Sequence, residues 1–159
     1  MRKSLLGAVA VAALMLPGAA LAQSGTIKIG ILVALEGAFA TGGQDGVRNV
    51  ELALKQVNNT IAGKKIETVV APTDTKPDTT VRMARKLVEQ DKVDLIIGPL
   101  SGSEGIAMRD FAKTIPDKVV INGIPGALET TWVDPAPNFY RFNLDGSQWG
   151  FGLGNYVVK

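Results

Sequence analysis

The sequence predicts an α/β fold, a three-layer sandwich around a parallel sheet, and three observations carry that prediction. Short apolar runs rich in β-branched residues recur along the chain, segments with apolar residues at helical spacing separate them, and glycine-rich stretches follow three of the runs. Strands that alternate with helices of this length pair in parallel, through right-handed crossovers that put helices on both faces of the sheet.

Thr26 to Leu35 (TIKIGILVAL) is nearly continuous in apolar character, the form of a strand covered on both faces. After a glycine-rich loop, Val47, Val50, Leu54, Val57 and Ile61 recur at helical spacing, which predicts an amphipathic helix from Gln44 to about Asn59. Lys65 to Ala71 (KIETVVA) is the second strand, and its polar start suits a place nearer an edge. Asp74, Thr75 and Pro77 supply helix-start chemistry for a second helix with the stripe Val81, Ala84, Leu87 and Val88, ending near Gln90. Val93 to Ile97 is a short buried strand stopped by Gly98-Pro99, and Ser103 with Glu104 opens a third helix carrying Ile106, Met108 and Phe111. Lys118 to Asn122 is the fourth strand. Pro135 and Pro137 mark a break, Phe139 to Asn143 (FYRFN) reads as extended, and Ser147 to Lys159 begins another helix with Trp149, Leu153 and Val157 on one face. The chain ends inside that helix with no capping Gly or Pro, so a truncated sequence, one lobe of a larger two-lobed protein, is expected.

The amino terminus reads as a secretory leader, with Arg2 and Lys3 before the apolar run Leu5 to Leu16, then Pro17, Gly18 and Ala20-Leu21-Ala22. That run is shorter than the roughly 20 residues a helix needs to cross a bilayer. Cleavage after Ala22 is expected, and no Cys stands there to take a lipid. The leader holds two of the 17 Lys and Arg and none of the 15 Asp and Glu, so the remainder of the chain is formally neutral. A neutral chain without a concentrated basic face is not expected to bind nucleic acid. With no Cys and no His, thiolate and imidazole chemistry and the usual zinc sites are excluded. No catalytic residue, metal site or cofactor is expected. The composition, 46% hydrophobic and 20% charged, is that of a globular chain.

In open parallel sheets small molecules bind beyond the carboxyl ends of the strands, where backbone amides and helix amino termini converge. Three loops fit: Glu36 to Gly43 (EGAFATGG), Gly98 to Gly105 (GPLSGSEG) and Gly123 to Leu128 (GIPGAL). Glycine after a strand is first of all a turn residue, but three such loops at one end of a sheet also let backbone N–H groups approach a ligand. Candidate contacts are Phe39 and Gly42 in the first loop, Ser101, Gly102 and Ser103 in the second, and Gly123, Ile124 and Gly126 in the third. Ser101 and Ser103 carry the only hydroxyls at the second site, and helix capping is their alternative use. No loop completes a Walker pattern, and Gly150 to Gly154 (GFGLG) lacks the preceding strand of a dinucleotide fingerprint.

The segments IKIGILVALEGAFATGGQDGVRNVELAL, DTKPDTTVRMARKLVEQDKVDLIIGPLSGS and KVVINGIPGALETT followed by FYRFNLDGSQWG resemble, in order and spacing, the leucine/isoleucine/valine-binding protein family. These are the type I periplasmic binding proteins of ABC importers, and the resemblance is to their amino-terminal lobe. It implies a leader over 1–22, an amino-terminal lobe with the first hinge crossover over 23–143, and the start of a second lobe over 144–159. It implies a monomeric, periplasmic or extracytoplasmic solute-binding protein that takes an amino acid, aromatic acid or amide and meets ABC permease subunits in the membrane. A ligand-sensing receptor ectodomain of the same fold is the alternative. In such proteins a Ser and backbone amides of the second loop hold the ligand carboxylate, while a Thr and main-chain groups of the third hold its amine. Here Gly102 falls at that Ser and Gly126 at that Thr, with Ile124 at the position of main-chain contacts. The amine-directed hydroxyl is therefore missing, and Pro125 adds no N–H. A solute without an α-amine, its carboxylate met by the Ser101 to Ser103 loop, fits this pattern better than a branched-chain amino acid.

Overall fold

The structure, a computed structural model, describes residues 25–157. The expected leader and its cleavage site lie outside the described residues. The elements run β1 (Thr26–Ala34), α1 (Ala40–Gln56), β2 (Thr60–Ile61), β3 (Lys64–Thr73), α2 (Pro77–Glu89), β4 (Leu95–Ile97), α3 (Gly102–Ala112), β5 (Val119–Asn122), β6 (Phe139–Arg141), α4 (Gly146–Trp149) and α5 (Leu153–Val157). They form one six-stranded sheet in the order β2-β3-β1-β4-β5-β6. Every pairing is parallel except β2 with β3.

The two faces of the sheet are covered unequally. On one, Leu32 and Ala71 meet Ala84 and Leu87 of α2 and Met108, Phe111 and Ala112 of α3, with Ile96, Val120 and Phe139 closing the layer. Gly30 leaves room there for Leu87, whose Cδ1 would lie 2.8 Å from a Cβ on that glycine. Burying a leucine this completely contributes about 1.5 to 3 kcal/mol. On the other face, among the described residues, α1 packs down through Leu54 on Ile29 and Ile66, with Val50, Leu95 and Ile97 partly buried around them. Together the helices and sheet make the three-layer α/β sandwich expected.

The differences from the sequence expectation have local causes. α1 begins at Ala40 and stops at Gln56, because Asn58, Asn59, Ala62 and Gly63 all take positive φ and turn the chain into a short hairpin. Ile61 therefore lies in an edge strand, exposed, and not on the helix stripe. The sheet has six strands instead of four, since that hairpin adds β2 and the FYRFN segment pairs with β5, Val120 opposite Phe139. The single helix expected from Ser147 is two short pieces, α4 and α5, separated at Gly150 to Gly152, where Gly152 has φ +88°.

Candidate functional site

β1 is flanked by β3 on one side and β4 on the other, so successive crossovers leave the sheet in opposite directions and a topological switch point lies at the carboxyl ends of β1 and β4. Three chain segments converge at this end. A Cβ on Gly42, in the first turn of α1, would lie 3.7 Å from Leu100, and one on Gly102 would lie 3.6 Å from the Ala127 Cβ. A cavity of ≈ 200 Å³ sits here, walled by Ile31, Val33, Val50, Ile97 and Ile124 and reaching the backbone of Gly98 and Gly123.

The segment after β4 is built locally. Gly98 has φ +130°, and a Cβ there would come within 1.9 Å of the Leu32 carbonyl oxygen, so only glycine lets the chain pass. Ser101 caps α3, its Oγ accepting from the Glu104 N–H at 3.4 Å while the Ser101 N–H donates to Glu104 Oε2 at 2.9 Å. Glu104 is fully buried, and its Oε1 also accepts from the hydroxyls of Thr73 (2.5 Å) and Thr80 (3.1 Å). One carboxyl group thus ties the end of β3, the start of α2 and the start of α3 together.

The segment after β5 is held mostly by residues further along the chain. The Pro125 carbonyl accepts from Asn122 Nδ2 (3.2 Å), Arg141 Nη1 (2.5 Å) and Asn143 Nδ2 (3.4 Å). Arg141 Nη2 donates to the Ala127 carbonyl at 2.6 Å and its Nε to Thr131 Oγ1 at 3.1 Å. Burial pulls the Arg141 guanidinium below its usual range, against the opposing pull of Asp145. Asp145 caps α4 and also accepts from Trp132 Nε1 at 2.9 Å. Its carboxyl is held below the usual carboxylate range chiefly by the Ser147 hydroxyl. Gly126 lies under Trp149, so that a Cβ would fall 2.5 Å from the indole ring.

A match to the family model for periplasmic binding proteins extends over residues 26–159, nearly everything after the expected leader. The chain belongs to the periplasmic binding protein family. Among solved structures of this kind, a solute-binding protein of an ABC transporter from Rhodopseudomonas palustris in complex with 3,4-dihydroxybenzoic acid is 28% identical, with a TM-score of 0.69 over 76% of this chain and 32% of that one. A second R. palustris solute-binding protein, in complex with benzoate, is 25% identical with a TM-score of 0.78 over 84% of this chain and 37% of that one. The branched-chain amino acid transporter substrate-binding protein LivJ from Streptococcus pneumoniae, in complex with isoleucine, shares the fold at 24% identity and a TM-score of 0.75, over 84% of this chain and 38% of that one. No curated protein matches the sequence. The chain spans about a third of the length of these solved relatives. They are binding proteins, not enzymes, and the chain is placed with them as the amino-terminal lobe of a type I periplasmic binding protein.

Within that lobe the eight candidate contacts divide. Gly102, Ser101 and Ser103 stand at the start of α3, beside the segment that carries Gly123, Ile124 and Gly126. Gly42 lies inside α1 instead of in a loop, and Phe39, the residue before that helix, is 53% exposed. Ser101 is committed to its cap, whereas the exposed Ser103 hydroxyl has, among the described residues, only long contacts, 3.4 Å to Ser101 Oγ and 3.5 Å to the Thr75 carbonyl. Glu104, Arg141, Asn122 and Asn143 shape the site and were not singled out for it from sequence. Ser101 with Glu104 three residues on is a capping-box signature that could have flagged the first. Nothing in the sequence marks the other three as partners of Pro125.

On the rim, Lys76 Nζ lies 2.9 Å from Asp74 Oδ2, and that pairing lowers the Asp74 carboxyl to about 2. Asp74 and Glu36 both line a second, more polar cavity of ≈ 200 Å³ at the carboxyl end of β3.

Proposed function

We propose that this chain is the amino-terminal lobe of an exported, monomeric solute-binding protein that captures a small organic acid or related amide outside the cytoplasm and presents it to an ABC importer's membrane subunits. The observation that carries the reading is the meeting of the α3 amino terminus, the Gly123 to Ala127 segment and the first turn of α1 at the switch point of a periplasmic binding protein sheet. The Gly102 and Ser103 N–H groups, without a partner among the described residues, favour an oxygen anion, and the apolar cavity lined by Gly98, Pro99 and Ile124 of the same two segments accepts a hydrocarbon or aromatic body. The relatives in complex with benzoate and 3,4-dihydroxybenzoic acid support an aromatic acid as one such solute. A second lobe completes the site, since one lobe alone cannot exclude water from both sides of a ligand.

The test uses the complete protein, exported from its own leader. Mass spectrometry is expected to find Gln23 at the mature amino terminus. A thermal-shift screen of amino acids, aromatic acids, short amides and urea, followed by calorimetry, is expected to yield a tight binder among the acids or amides. A protein recovered with Met1 intact, or one that binds no member of any class, overturns the reading.

A further inference from the structure

Every backbone carbonyl from Ile124 to Ala127 is already occupied by a donor of the protein itself. The Ile124 carbonyl accepts from Asn143 Nδ2 at 2.8 Å. The Pro125 carbonyl takes three donors, from Asn122, Arg141 and Asn143. The Gly126 carbonyl accepts from the Gly146 N–H at 2.7 Å, and the Ala127 carbonyl from Arg141 Nη2 and from the Thr130 hydroxyl at 2.8 Å. The donors of the same segment are in the opposite condition. Among the described residues the N–H groups of Ile124, Gly126 and Ala127 have no hydrogen-bond partner, and Pro125 has no N–H to offer.

We propose that Arg141 and Asn143 set the specificity of this site by closing the β5 segment to ammonium groups, so that it admits a carboxylate solute and rejects the matching α-amino acid. The proposal rests on the solute-binding reading above and narrows its ligand class. An ammonium carries three N–H donors and no acceptor, so it binds where oxygens stand free. Here the Pro125 and Ala127 oxygens have spent their lone pairs, and the two oxygens with one remaining lone pair lie in a segment that also carries the Arg141 charge. A second cation beside that guanidinium is repelled, while a carboxylate is attracted. Asp145, the acidic group facing Arg141, offsets part of that charge but offers a ligand no open acceptor: its Oδ1 takes three donors from Ser147 and Gln148, its Oδ2 takes Trp132 Nε1, and the residue is buried. The amide oxygens of Asn122 and Asn143 are acceptors without a partner, but both are buried. Unlike the missing hydroxyl at Gly126, this closure comes from side chains outside the segment, and they can be removed one at a time.

The experiment is calorimetry on the complete protein with matched pairs that differ only in the α-ammonium: 4-methylpentanoate against leucine, and 3-phenylpropanoate against phenylalanine, with benzoate and a short amide as references. Each acid is expected to bind about tenfold more tightly than its amino acid, or better. Asn143→Ala, which releases the Ile124 carbonyl, is expected to narrow that ratio by about threefold or more, whereas a merely loosened loop weakens both members alike and leaves the ratio unchanged. Arg141→Lys, which keeps the charge but cannot reach several acceptors together, is expected to narrow it less than Asn143→Ala. An amino acid that binds more tightly than its acid, or a ratio unmoved in the folded Asn143→Ala protein, overturns the inference and leaves solute capture standing. Failure of every acid, amino acid and amide to bind overturns the solute-binding reading along with it.

Discussion

The start of α3 and the segment after β5 lie side by side at the candidate site, Gly102 against Ala127, yet they are fixed by different kinds of contact. Ser101 and Glu104, three residues apart, close a capping box on each other, and Glu104 then reaches Thr73 and Thr80 across the fold. The β5 segment has two local contacts, Asn122 to the Pro125 carbonyl and Thr130 to the Ala127 carbonyl, but no reciprocal pair. Asn143 and Arg141 hold its Ile124, Pro125 and Ala127 carbonyls from 14 to 19 residues further along the chain. Where a local motif builds a site, the site forms with its helix; where distant side chains build it, its geometry depends on strand pairing having been completed first. The β5 segment is thus the part of the site whose shape, and whose preference among solutes, can change without disturbing the adjacent helix.

That contrast can be broken most severely at Glu104. Glu104→Ala leaves the Thr73 hydroxyl and the Ser101 N–H without their acceptor, while Thr80 keeps the Lys76 carbonyl, and is expected to cost about 3 kcal/mol in denaturant unfolding. Because Glu104 joins β3, α2 and α3, the loss is expected across all three elements in amide exchange. Arg141→Met removes donors from the Pro125 and Ala127 carbonyls, but Asn122, Asn143 and Thr130 remain on them, so a smaller cost of about 2 kcal/mol is expected. Its exchange signature is confined to residues 123–131 and spares the start of α3. Equal disturbance of both segments would show that they are coupled and not separate.

Ser101→Ala removes the cap while keeping Glu104 on the Ser101 N–H, and about 0.5 to 1 kcal/mol is expected by thermal or chemical unfolding. The smallest effect belongs to the exposed rim. The Asp74 carboxyl, lowered from 3.8 to about 2 by Lys76, contributes stability above the unfolded value that is lost as pH falls through the folded one. Lys76→Met is expected to move the Asp74 titration, followed by NMR, back toward 3.8 with little change in stability at neutral pH. An Asp74 that still titrates near 2 in this variant would place the cause elsewhere.

Elements whose signal is periodic were legible from sequence. The β1 run and the α2 stripe depend on neighbours a few residues apart and read the same in any context. The α3 start was expected at Ser103 with Glu104, whereas Ser101 is the cap and the helix begins at Gly102, because Ser101 is the residue three before Glu104. The hairpin at Ala62-Gly63 was hidden because Ile61 happens to continue the α1 spacing while the positive φ values before and after it end the helix. The break between α4 and α5 was hidden because Trp149 and Leu153 keep a helical interval across three residues that are not helical.

The alternation of strands and helices, the glycine positions where backbone passes close to backbone, and the absence of His and Cys that removes most catalytic chemistry are all written in the linear chain. These are properties of composition and short-range spacing. It took the folded molecule to assign the donors that occupy the carbonyls of Ile124 to Ala127, to give Glu104 to Thr73 and Thr80, and to make Gly126 yield to Trp149. The physical reason is that a hydrogen bond is satisfied by whichever group lies within about 3 Å and aligned. For Arg141, and for Asn143 just beyond β6, that neighbour is set by the pairing of β5 with β6, which no local pattern in the chain records.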